Sequence, residues 1–105
     1  MNTIKITALR QTIYEDLIDR YELPQTEACT ILVGQSWICR QATCPKDFCP
    51  HAWQSLYPYV FALAHHADHL HDSWMKDPQS ALVSCNDGFR PMSFLLEVID
   101  QKETL

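Results

Sequence analysis

With 105 residues, a formal charge of −5, and 47% hydrophobic against 20% charged residues, the chain has the composition of a single compact globular domain, residues 1–105. A domain of this size buries roughly two-thirds of the surface of its unfolded form. The acidic balance, with no cluster of Lys and Arg, excludes a nucleic-acid binder that works by displacing phosphate counterions, and no apolar run is long enough to span a bilayer.

The first residues, Met1-Asn2-Thr3-Ile4-Lys5-Ile6, lack the apolar core of a signal peptide. The expectation is therefore a cytoplasmic protein in a reducing compartment. There, its five cysteines are buried thiols, metal ligands or reactive groups rather than disulfides. Ile4, Ile6 and Ala8 alternate with Thr3, Lys5 and Thr7, the period of a half-buried strand. Thr12 and Glu15 form the Thr-x-x-Glu spacing of a capping box. Tyr14, Leu17, Ile18 and Tyr21 follow at helical intervals, with Glu15, Asp16, Asp19 and Arg20 on the wet side. Leu23-Pro24 closes this short helix, because proline disfavours helical backbone in the residue before it.

Ile31-Leu32-Val33 is a short apolar run punctuated by Gly34, residues 35–39 read as a second strand, and residues 41–47 as a polar loop. Phe48-Cys49-Pro50-His51-Ala52-Trp53 then opens a long helix, with Cys49 at its N-cap and Pro50 first, where the absent N–H would be unpaired anyway. Trp53, Leu56, Val60, Leu63 and Ala67 form its core-facing stripe. Pro58 is expected to kink it, and Tyr57, Tyr59 and Phe61 widen its apolar surface. A His-rich stretch, residues 65–72, ends or follows that helix. Residues 81–85 read as a third strand and Asn86-Asp87-Gly88 as its turn. A fourth strand starts at Pro91 with Met92, Phe94, Leu96 and Val98 on one face, before a polar tail over residues 101–105. The fold class that follows is α+β: a mainly antiparallel sheet of about four strands packed on one short and one long, Pro-kinked helix. Two glycines in the whole chain leave no glycine-rich phosphate loop or dinucleotide fingerprint.

Three spaced elements carry a resemblance: Cys29 followed by Gly34-Gln35-x-Trp37, then Phe48-Cys49-Pro50-His51-Ala52-Trp53, then Cys85-x-Asp87-Gly88-x-Arg90-Pro91. Together they resemble a family of small cysteine-containing conserved hypothetical proteins of about this length. Members of that family carry Cys-Pro at the first element, whereas Thr30 follows Cys29 here. The resemblance implies no activity, cofactor or substrate. It implies only that Cys29, Cys49 and Cys85 rank above Cys39 and Cys44.

Cys29, Cys49 and Cys85 each fall at an element boundary, and three thiolates with His51 make a Cys₃His donor set suited to zinc. Soft thiolates also suit Cu(I) or an iron–sulfur cluster. The spacing matches no zinc or ferredoxin pattern, and free cysteine is also among the most buried residue types. Alternatively Cys49, at the positive end of a helix where a thiol ionises more readily, is a nucleophile or acid/base. His51, two residues on, does not share its side of a helix. Asp87, or a His from the 65–71 cluster, would then have to supply the base, and Arg90 would hold a substrate carboxylate by its bidentate fork. Against this, Asp-Gly is ordinary turn chemistry and Arg90 reads as solvated. His65 and His69, one turn apart if the helix continues, are secondary metal candidates, as is the closer pair His66 and His69. Several of the many aromatic residues are expected to line a pocket beside Cys49.

The leading expectation is a small protein with a thiolate-centred site at Cys29, Cys49 and Cys85 that binds zinc or another thiophilic transition metal. The alternatives are a cofactor-independent enzyme using Cys49 on a small organic, even aromatic, substrate, and a non-catalytic protein-interaction module. The partner is thus a metal ion or small molecule, not nucleic acid or membrane, and the oligomeric state stays open.

Overall fold

The computed structural model describes residues 1–24 and 30–100; Cys29 and the polar tail at 101–105 lie outside the described residues. Four strands, β1 (Thr3–Gln11), β2 (Ser36–Cys39), β3 (Ser80–Ser84) and β4 (Met92–Asp100), form one sheet in the order β2-β1-β4-β3, with every neighbouring pair antiparallel. Register places Trp37 opposite Ile6, Ile6 opposite Leu96, and Leu96 opposite Ala81. This row crosses the whole sheet on its inner face. The period-two alternation of β1 and β4 thus has its physical cause in one covered face: Ile4, Ile6, Ala8, Phe94 and Leu96 are wholly buried.

The cover is helix α2 (Pro50–Ala64), which packs against β1, β3 and β4. Ala52, Leu56, Val60, Leu63 and Ala64 are its buried residues. Each large side chain among them contributes about 1.5–3 kcal/mol by leaving water. Trp53 packs against this core while partly exposed. Pro58 sits inside α2 without ending it. Its side is the outer one, where Tyr57 and Phe61 are 40% and 46% exposed. The molecule is accordingly a two-layer slab, with principal extents of 50 × 29 × 20 Å.

Two sequence readings are corrected here. The short helix α1 spans Glu15–Tyr21 with Tyr14 as its N-cap, and no side chain caps it. Thr12 forms no capping box because its N–H bonds the Pro91 carbonyl at 3.0 Å, and the Tyr14 N–H bonds the Phe89 carbonyl at 2.9 Å. The pairing of β1 with the approach to β4 runs past the expected cap, and none of the apolar residues of α1 is buried.

The second correction concerns the His-rich stretch. His65 is the C-cap of α2, His66 has φ 71°, and the N–H groups of His66 and Ala67 bond the carbonyls of Leu63 and Ala62 at 3.2 and 2.9 Å. That is a Schellman closure with histidine in the left-handed position usually given to glycine. Ala67 therefore lies beyond the helix rather than on its stripe. At the same end, buried Asn2 donates from its backbone N–H to the Ala64 carbonyl (2.8 Å) and from Nδ2 to the Leu63 carbonyl (3.1 Å), pinning β1 to the last turn of α2. A third short element, α3 (Leu70–Ser73), follows; His71 and Asp72 within it are left-handed.

Candidate functional site

One cleft of about 530 Å³ opens between the first turn of α2 and the β3–β4 connection. Its wall holds Cys49, His51, Cys85, Asp87 and Arg90, all five singled out from the sequence, together with Asn86. Ala52, Met92, Phe94 and Ile31 supply the apolar part, and Thr30 completes the rim.

The backbone explains how Cys49 and His51 come to share it. Cys49 has extended geometry (φ −61°, ψ 122°) while Pro50 is the first helical residue. The helical rule that separates positions i and i+2 does not apply across that junction, so both residues line the cleft despite the expectation that they face apart. Pro50 sets the helix entry, and the Trp53 N–H returns to the Cys49 carbonyl at 3.0 Å.

The facing wall is tied down by hydrogen bonds. The Cys85 N–H donates to the Met92 carbonyl at 2.9 Å, and the Met92 N–H donates to the Cys85 sulfur at 3.3 Å. Asp87 Oδ1 accepts the N–H groups of Phe89 and Arg90 at 2.8 and 3.1 Å. This is the side-chain turn chemistry expected of Asp. Gln11 Nε2 donates to the Arg90 carbonyl at 3.2 Å. Bonds from the end of β1 and the start of β4 therefore hold the connection.

Arg90 is neither solvated nor free. Its two terminal nitrogens donate to Glu22 Oε2 and Oε1 at 2.9 and 2.8 Å. The two side chains are 22% and 7% exposed, respectively. The bonds to Glu22 raise the Arg90 pKa above its ordinary value. Glu22, the C-cap of α1, has no signal in the sequence that marks it as a site residue. The apolar cleft residues Met92 and Phe94 were legible as the inner face of β4.

The remaining candidates are elsewhere. Cys39 is fully buried in β2 and donates to the Thr43 carbonyl at 3.0 Å. Burial, then the charge of Cys44, pushes its thiol up to about 11 from an ordinary 9.0. Cys44 is exposed, and its thiol is also pushed upward, by burial and then by Cys49. The four described cysteines are all free thiols.

His65 and His69 are not a helical pair, since α2 ends at Ala64. His65 stacks on Phe61 with ring centres 4.3 Å apart, and His69 Nδ1 meets Asp68 at 2.9 Å. Among the described residues, no group of three or more His, Cys, Asp or Glu side chains is placed to hold a metal ion. Of the aromatic rings, only Phe94 lines the cleft. Trp37 and Phe48 pack against each other edge-on at 4.8 Å, and Trp53 and Tyr57 stack at 5.4 Å.

No family model, curated protein or solved structure matches this chain. No described helix is long and apolar enough to cross a membrane.

Proposed function

We propose that the protein acts on, or holds, a small organic molecule in the cleft at the start of α2, with Cys49 as the nucleophile or proton-transfer group. One observation carries this reading: Cys49 and Cys85 open on the same cavity of about 530 Å³, a volume in the range of small-molecule sites and far beyond the needs of a lone ion. We place the chemistry in the cytoplasm, for which the four free thiols speak.

The test is alkylation of the native protein with limiting iodoacetamide near pH 7, with each cysteine followed by mass spectrometry. Cys49 is expected to react about tenfold faster than exposed Cys44, whose thiol pKa is raised by burial and by Cys49. Cys39 is expected to stay unmodified. A Cys49 no faster than Cys44 overturns the reading.

A second reading keeps a thiophilic transition metal on Cys29, Cys49, Cys85 and His51. It is favoured by one feature: Cys49, Cys85 and His51 share the wall of one cleft. It requires near-stoichiometric zinc, copper or iron in elemental analysis, lost together with stability in Cys49→Ser and Cys85→Ser.

A further inference from the structure

Arg90 is the only Lys or Arg among the described residues of the cleft wall. It also borders a smaller hollow of about 220 Å³ beside Ile18, Glu22 and Pro24. Its two terminal nitrogens are engaged by the Glu22 carboxylate, whose side chain is only 7% exposed. The fork that would clamp a ligand carboxylate is therefore already closed on a carboxylate of the protein. Next to it stands Asp87, whose Oδ1 is spent on the Phe89 and Arg90 N–H groups but whose charge remains.

Among the described residues of the wall, an anionic ligand would meet one cation, already neutralised, and one further anion. To claim Arg90 it would have to displace the Glu22 carboxylate and leave that little-exposed side chain unpaired. The start of α2 offers only about half a positive charge.

We infer that the cleft selects an uncharged small molecule and turns away carboxylates and phosphate esters, with Asp87 setting that preference because Glu22 already neutralises Arg90. The inference rests on the thiol reading above and names the ligand class of the same site.

Two alkylating probes of nearly equal shape, iodoacetamide and iodoacetate, test it. In both, the Cys49 sulfur forms a bond to the methylene carbon as the carbon–iodine bond breaks. Iodide leaves with the bonding pair, and the thiol proton has gone to solvent. The readout is the ratio of the two rates at Cys49, divided by the same ratio for Cys49 in the urea-unfolded protein.

In the native protein this normalised preference for the amide is expected to be about fivefold, the effect of one nearby uncompensated charge. Glu22→Gln frees the Arg90 cation and should bring the preference to unity or below. Arg90→Gln should raise it. The double variant, which removes both charges together, should keep the native preference and so separates charge from misfolding. A native ratio equal to the unfolded one, or a ratio that Glu22→Gln leaves unmoved, overturns the inference while the thiol reading stands. A Cys49 that reacts with neither probe overturns the thiol reading and this inference with it.

Discussion

Helices α1 and α2 carry the same kind of signal, apolar side chains at helical spacing, and end in opposite situations. In α2 the stripe is covered by the sheet, and Leu56, Val60 and Leu63 are completely buried. In α1 no residue is buried, with Leu17 36% and Tyr21 68% exposed. A helix of seven residues is far below the length that stands alone in water. This one is held by its ends instead: the Tyr14 N–H bonds the Phe89 carbonyl and the Glu22 carboxylate clasps Arg90. Periodicity reports that a helix forms. Whether anything covers it depends on partners far away in sequence.

The contrast can be pressed from its heavier side first. Leu56→Ala, beneath the centre of α2, is expected to cost about 3 kcal/mol in denaturant unfolding, the sum of lost transfer energy and a cavity. A loss below about 1 kcal/mol would mean that α2 is less firmly seated than its burial implies.

Cys39 sharpens the same side through pH. Its folded-state pKa of about 11 lies above the ordinary 9.0, so the folded protein binds that proton more tightly than the unfolded chain. The resulting stability is complete below pH 9 and is lost as pH rises through 11. Its size is on the order of 2 kcal/mol. Unfolding midpoints of the wild type should thus fall more steeply between pH 9 and 11 than those of Cys39→Ala; parallel declines would show that the buried thiol is not the cause. The smallest effect belongs to the other helix. Leu17→Ala is expected to change stability by less than about 0.5 kcal/mol, as an exposed position should. A larger loss would show that α1 is covered in solution after all.

Much of the layout was legible because it is local. The alternation of Ile4, Ile6 and Ala8, the stripe of Leu56, Val60 and Leu63, and the face of Met92, Phe94 and Leu96 each repeat with one element's period. All of these residues are buried. Cys49 at the cap before Pro50 was readable for the same reason. The failures are non-local. Thr12 does not cap α1 because its N–H pairs with the Pro91 carbonyl and the helix starts only at Glu15, after Tyr14. Arg90 is not solvated because Glu22, 68 positions away, reaches it. His65 and His69 presuppose a helix that a left-handed His66 closes, a conformation that gives little warning when the residue is not glycine or asparagine. For the site, residue types identified the wall of the cleft, but the pairing that fixes its charge was invisible.

The central pair of the sheet is β1 with β4, the first and last strands. Their meeting closes a loop of most of the polypeptide before any inner row is complete, an entropic cost that local helix formation does not share. Refolding should therefore run slower than in an equally small helical bundle. During synthesis β1 can pair with β2 along one edge, but its other edge must wait until β4 has left the ribosome.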